Sequence, residues 1–331
     1  MFSLARRSAG RPSPTRWLAD RKLLLLVPVL ILPLPVMVNQ YVLYVANLAF
    51  VYVLVGVGFN IVLGNLGQLA FANAAFFGIG AYTTSILMYH LGTPFLLAGL
   101  AGGLVSAAAG LLVSLPALRG VRSFYLAIMT LAFGELMRWT YVHAPSLTLG
   151  SMGLPVPLPE VFGYGLRTDV SKFYLFLAVV TLVILATANL LRSGTGRAFM
   201  AIRDNELAAA AMGIPTARYI MLAFAWSGFV VGLGGALYAA LVRRVSPDAF
   251  DLGQLLLHFA IVMVGGISNI AGAVIGAVVL TAAPELTRGL PGFETVLVAA
   301  LMIAVLLFLP RGVVSLLSRW VPAFRDTYHR S

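Results

Sequence analysis

The sequence predicts an all-α fold: a polytopic transmembrane helical bundle of about 8–10 spans, with one short helix left in the aqueous phase. Three observations lead there. Of the 331 residues, 60% are hydrophobic and 10% are charged, whereas a soluble domain is about 45–50% apolar with about a quarter of its residues charged. The apolar residues fall in continuous blocks of roughly 16–25, long enough for a helix to cross about 30 Å of hydrocarbon, and unlike the short alternating strands of a membrane β-barrel. Between two of these blocks lies a polar island, 192–218, with four arginines and the acids Asp204 and Glu206.

Residues 1–22 hold six basic residues and one acid and read as a basic cytoplasmic extension. The apolar run 23–38 follows with no small-x-small cleavage site before Asn39 and Gln40, so it reads as a retained first span. Further spans are expected over 41–63, 69–90, 93–116, 123–143, 172–191, 219–242, 253–267, 270–286 and 292–310. Together they form a single transmembrane domain, 23–318, followed by a basic cytoplasmic tail, 319–331. With the N-terminus inside, alternation puts Arg119, Arg122, the island and the tail (Arg311, Arg319, Arg325, Arg330) in the cytoplasm, where basic residues collect. Arg243 and Arg244 fall outside, against that rule, with Asp248 and Asp251 close by. Gly265, Gly266 and Gly272 interrupt 253–286, which leaves two short spans, one tilted helix or a re-entrant pair open.

Small residues recur at four-residue spacing: Gly102, Ser106 and Gly110; Gly228, Gly232 and Ala236; Gly272 and Gly276. Such rows let helix backbones approach closely in lipid. The Gly-rich stretches 64–80 and 265–276 invite comparison as an internal duplication, but no alignment supports one. The loop 144–171 carries four prolines and four glycines and is expected to be irregular and external, a connector or a gate.

Several functions are excluded. The formal charge of +11 speaks for membrane topology, because no water-exposed basic domain exists to bind nucleic acid. Cysteine is absent, so there is neither a disulfide framework nor a thiolate metal site. His90, His143, His258 and His329 never stand four residues from a carboxylate. No phosphate-binding P-loop, G-x-S-x-G or HExxH motif occurs. A chain with no nucleotide site, metal site or nucleophile, and no bound cofactor to expect, is better read as a path for a solute than as an enzyme.

Polar residues inside a membrane are costly and mark candidate sites. Asn60, Asn65, Gln68 and Asn73 surround the second and third spans, where the glycines of GNLGQLAFANAAFFGIGAY permit unwound backbone. Broken helices expose N–H and C=O groups that can hold a solute's carboxylate and ammonium; hydrogen bonding between helices is the plainer alternative. Glu135 and Arg138 stand three residues apart on one helix face, either an internal ion pair or a polar wall of the path. Asn269 and Glu285 are weaker candidates. In the island, the alanines between Arg197 and Gly213 favour helix, and Gly213-Ile214-Pro215 ends it. A short amphipathic helix of this kind suits a groove on a partner; a solvated loop is the alternative.

The island, GRAFMAIRDNELAAAAMGIPTARYIMLAF, resembles the cytoplasmic coupling loop of branched-chain amino-acid ABC transporter permeases of the LivM type. GQLAFANAAFFGIGAY (67–82), LPALRGVRSFYLAIMTLAFGELMR (115–138), SPDAF (246–250), PEL (284–286) and FLPRG (308–312) are similar to the same family, so the resemblance covers roughly 41–318. It implies a non-catalytic subunit of the bacterial inner membrane, paired with a second homologous permease. Two cytoplasmic ATPases, which hold the ATP and Mg, and an extracytoplasmic solute-binding protein complete the implied assembly. The family's coupling motif, Glu-x-Ala-Ala with a later glycine, falls on Glu206, Ala208, Ala209 and Gly213, with Arg197, Arg203 and Asp204 beside it. Two departures are Asn73, where a histidine is usual, and TLGSMGL (148–154), where a Thr-Gly-Gly-Ser-x-Gly run is usual. The expected solute is leucine, isoleucine, valine or a related small amino acid, imported by alternating access along Asn60, Gln68, Asn73, Glu135 and Arg138. A urea or short-amide permease is the runner-up. A stand-alone secondary transporter or channel is a third reading, disfavoured by the scarcity of paired intramembrane acids, and a membrane-embedded enzyme a distant fourth.

Overall fold

A computed structural model describes residues 31–119, 123–161 and 163–286, with Pro28 and Ala300. The extension 1–22, residues 23–27, 29 and 30 of the expected span 23–38, Arg122, the expected span 292–310 apart from Ala300, and the tail lie outside the described residues, as do the side chains of Arg119 and Glu285.

Within them, α1 (Gln40–Asn60) runs into one π-helical turn, Ile61–Asn65, and the backbone unwinds over 66–72 before α2 (Asn73–Leu91). The third span therefore starts at Asn73 and not near 69. α3 (Phe95–Ser114) tightens into a 3₁₀ turn, Leu115–Arg119, and α4 spans Ser123–His143. α5 (Asp169–Arg192) leads into the island, whose helices are α6 (Gly194–Asp204) and α7 (Glu206–Ala211). α8 (Thr216–Val242) returns through the bundle, and α9 (Leu252–Gly265) and α10 (Ile270–Leu286) complete it.

Four stretches are long and apolar enough to cross a bilayer: Gln40–Asn65, Phe95–Leu118, Asp169–Arg192 and Thr216–Val242. The 19-residue α2 and 21-residue α4 pack beside them and mix in polar residues. At 14 and 17 residues, α9 and α10 are only about 21 and 26 Å long at 1.5 Å per residue. They fold back on each other: a Cβ on Gly272 would lie 2.7 Å from the Gly266 carbonyl oxygen, and one on Gly276 would lie 2.9 Å from the Gly265 nitrogen. The segment 253–286 is thus a hairpin of two short helices about the turn 266–269.

The small-residue rows find each other. α3 presents Gly102 and Ser106 to Gly228 and Gly232 of α8 and Gly110 to the Phe224 backbone, and α2 joins through Gly80. A Cβ on Gly232 would come within 2.5 Å of the Ser106 Cβ, and one on Gly102 within 2.7 Å of the Gly80 carbonyl oxygen. The Ser106 hydroxyl donates to the Phe76 carbonyl at 2.9 Å, tying α3 to α2. Helices in lipid gain no hydrophobic drive from touching each other, so close van der Waals packing and such hydrogen bonds hold them together.

At the end of the bundle remote from the island, the loop after α4 is not wholly irregular. Its strand β1 (Leu154–Pro155) pairs antiparallel with β4 (Arg244–Val245), and β2 (Glu160–Val161) pairs with β3 (Tyr164–Gly165). The Val156 N–H donates to the Arg243 carbonyl at 2.9 Å, Arg243 Nε donates to the Val156 carbonyl at 3.3 Å, and Arg244 Nη1 donates to the Met152 carbonyl at 3.0 Å. These arginines staple two loops together. The neighbouring acids serve helix starts: Asp251 accepts from the Gln254 N–H at 2.9 Å, capping α9.

Candidate functional site

The island is two helices, not one from Arg197 to Gly213. Ser193 starts α6 by accepting from the Thr195 N–H at 3.2 Å. Ala198, Phe199 and Ile202 form its buried stripe, with the Phe199 ring edge-on to Tyr219 at 6.3 Å. Asn205 breaks the helix. Its backbone is extended (φ −163°, ψ 108°), and its Oδ1 accepts from the Ala208 N–H at 3.0 Å, so it is the N-cap of α7. The stop after α7 is where the sequence puts it. Gly213 takes a left-handed φ of +82°, which a side chain would strain, and the Ile214 N–H closes back on the Ala209 carbonyl at 3.1 Å.

The motif residues divide between two faces. Ala209 is buried against the bundle, while Ala208, Asp204, Arg197 and Gly213 are exposed and Glu206 is half-buried. Leu207 and Met212 project outward, 62% and 84% exposed, an apolar pair set among charges. Glu206 forms no ion pair among the described residues.

Arg203, the last basic residue of α6, turns inward. Its Nη1 donates to the Ser268 hydroxyl in the turn between α9 and α10. The same hydroxyl donates to the Gly64 carbonyl at 2.7 Å, and the Ser268 N–H donates to Asn60 Oδ1 at 2.8 Å. Asn60 Nδ2 completes the link by donating to the Asn269 carbonyl at 3.0 Å. The aliphatic stem of Arg203 packs over Gly67, where a Cβ would lie 2.8 Å from the arginine Cγ. Both interrupted helices, α1–α2 and α9–α10, are therefore fastened to each other and to the island at one place. The two Gly-rich stretches of the sequence meet there.

A second polar cluster is buried within the bundle. Asn73 Nδ2 lies 3.1 Å from His258 Nδ1, and Gln254 Nε2 lies 3.1 Å from His258 Nε2 and 3.2 Å from the Tyr52 hydroxyl. Phe77 meets the imidazole edge-on at 5.4 Å, and Phe250 with the stacked pair Tyr82–Tyr141, 4.3 Å apart, packs beside it. Asn73 Oδ1 and Gln68 Oε1 are buried without a partner. Such groups cost free energy in an apolar interior unless something satisfies them.

The five expected pathway residues are not gathered in one place. Asn60 belongs to the helix breaks, and Asn73 to the histidine cluster. Gln68 lies on the unwound segment, and Glu135 and Arg138 pair with each other at 3.1 Å on the outer face of α4, their side chains 52% and 43% exposed. Sequence reasoning passed over Tyr52, Gln254, His258 and Ser268. The spacing of Gln254 and His258, four apart on an apolar helix, was the available signal. Ser268 left none. Among the described residues no group of three or more histidines and carboxylates is placed to hold a metal ion.

The profile of the family described as "Branched-chain amino acid transport system / permease component" matches residues 41–309. The chain is 32% identical to the high-affinity branched-chain amino acid transport system permease protein LivM of Escherichia coli K12, over 87% of this chain and 74% of that one. It is 29% identical to the permease protein LivH of Salmonella typhimurium, over 81% and 92% of the two chains. It is also similar to the autoinducer 2 import system permease protein LsrC of Enterobacter sp. strain 638, 31% identical over 58% and 55%.

Proposed function

The chain belongs to the family of branched-chain amino-acid transport permease components, a family of non-catalytic multi-pass membrane subunits, and on that footing we propose that it is a LivM-type importer subunit. It moves leucine, isoleucine, valine or a related small amino acid inward by alternating access. It works in the bacterial inner membrane, N-terminus in the cytoplasm, beside a second homologous permease. Two cytoplasmic ATPases drive the pair and an extracytoplasmic binding protein feeds it.

One observation carries this reading. The island presents Leu207 and Met212 outward, with Asp204 and Arg197 also exposed, while Phe199 roots it in the bundle. An exposed apolar pair on a segment rooted through α6 and capped at α7 suits insertion into a groove of a partner that delivers force. The ion pair on α4 supports the second permease: charges facing lipid are expensive, and a protein neighbour removes that cost. Asn73 Oδ1 and Gln68 Oε1, buried without partners, are acceptors that a solute's ammonium group would satisfy along the path. The likeness to an autoinducer 2 permease favours, as a second reading, a polar solute that is not an amino acid.

The test is reconstitution of the chain with its partner permease, ATPases and binding protein in proteoliposomes. ATP-dependent leucine uptake is expected, competed by isoleucine and valine and not by urea or sugars. Glu206→Lys or Gly213→Trp is expected to abolish both uptake and binding-protein-stimulated ATP hydrolysis. Uptake by the single subunit on an ion gradient, or normal uptake in both variants, refutes the assignment.

A further inference from the structure

We propose that Arg203 is the positioning residue that makes the two helix breaks move as one body with the island, with the Ser268 hydroxyl as its receiver. The inference rests on the transport reading above and goes further, to the single contact that transmits the movement.

The local chemistry is specific. The Ser268 hydroxyl is both acceptor and donor, accepting a hydrogen bond from the Arg203 guanidinium and donating one to the Gly64 carbonyl at 2.7 Å. That carbonyl belongs to the π turn of α1. Π-helical turns, whose hydrogen bonds span one residue more than α-helical ones, concentrate at functional sites. Ser268 itself holds a left-handed φ of +70°, unfavourable for a residue with a side chain, so the turn is not what a serine would adopt unaided. Its N–H is taken by Asn60 Oδ1 at 2.8 Å, and Asn60 Nδ2 holds the next carbonyl, Asn269, at 3.0 Å. Asn269 Oδ1 in turn accepts from the Ala271 N–H at 2.9 Å, where α10 begins.

Apart from the local Asn269–Ala271 cap, every link in this network joins segments far apart in sequence. The only member from the island is Arg203. Its stem also covers Gly67, at the start of the unwound stretch that carries Gln68, whose Oε1 has no partner, and leads to Asn73. A displacement of α6 therefore pulls on the π turn, on the 266–269 turn and on the unwound segment through one side chain. Phe199 and Ile202 anchor α6 to the bundle by packing, but packing of that kind fixes no register between the two breaks.

The assembled transporter in proteoliposomes tests this through the ATP hydrolysed per amino acid imported. Arg203→Ala and Ser268→Gly are the variants; glycine suits the left-handed turn, so the second removes the hydroxyl without endangering the fold. Each is expected to raise the ratio roughly ten-fold, the factor set by losing one charge-assisted hydrogen bond. The double variant is expected to be no worse than either single one, and Arg203→Lys to restore part of the coupling. Equal falls in hydrolysis and import, or additive effects, overturn the proposal.

A second measurement separates it from the transport assignment. The natural chain has no cysteine, so Leu207→Cys with Ile267→Cys places spin labels at exposed positions on the island and on the turn. In the purified chain the label distance is expected to be narrow and to broaden with Arg203→Ala. An unchanged distribution overturns the positioning role whatever the solute. Absence of ATP-driven import beside a broadened distribution overturns the transport assignment alone.

Discussion

Replacing Gly232 with alanine should loosen the bundle at the close seam between α8 and α3. The added Cβ would stand 2.5 Å from the Ser106 Cβ, 2.9 Å from its hydroxyl and 3.1 Å from the Gly102 carbonyl oxygen. Carbon pairs rest at about 3.5–4.0 Å, so α8 and α3 must part by about 1 Å. Moving apart strains the Ser106 bond to Phe76 and the contact with Gly80, because α2 shares the seam. Overpacking of this kind costs about 1–3 kcal/mol. Gly99→Ala is the internal control, since its Cβ would meet only Ala236 at an ordinary 3.5 Å. Both changes gain the same helix propensity, about 1 kcal/mol, so the difference between them isolates the packing. Unfolding of the purified chain in mixed micelles should place Gly232→Ala about 2 kcal/mol below Gly99→Ala, roughly a 30-fold shift in the unfolding equilibrium. Equal stability of the two variants would show that the helices are free to adjust and that the small-residue rows are not under close contact.

Two further outcomes follow from single hydrogen bonds. Asn205→Ala removes the N-cap of α7, worth about 1 kcal/mol, and should speed amide exchange over 206–211 while Asn205→Asp leaves it slow; exchange unchanged in the alanine variant would deny the two-helix account. Arg244→Ala removes the bond to the Met152 carbonyl, about 1 kcal/mol. Limited proteolysis should then cut the loop between α4 and α5 several-fold faster, with α8 untouched, and equal cutting rates would contradict the staple.

The legible part of the fold was local. Runs such as 41–63 and 219–242 announce membrane helices by length and composition, and the structure places α1 and α8 within a few residues of them. Gly213 before Ile214-Pro215 announced a helix end, and the end is there. Asn205 was missed because alanines on both sides hide a capping residue whose effect depends on its own backbone angles. Glu135 and Arg138 paired as their spacing allowed, but spacing along one helix does not say which way that helix face points.

The sequence by itself determined that this is a multi-pass membrane protein with a polar segment between two of its apolar runs, because hydrophobic length and helix periodicity act over short stretches of chain. Only the tertiary structure decided which small-residue rows mate, that Asn60 serves the Ser268 backbone 208 residues away, and that Arg203 turns inward while Leu207 turns out. The reason is physical. A hydrogen bond or a close backbone contact is satisfied by whichever partner the fold delivers, and nothing in the neighbouring residues of either partner records the other.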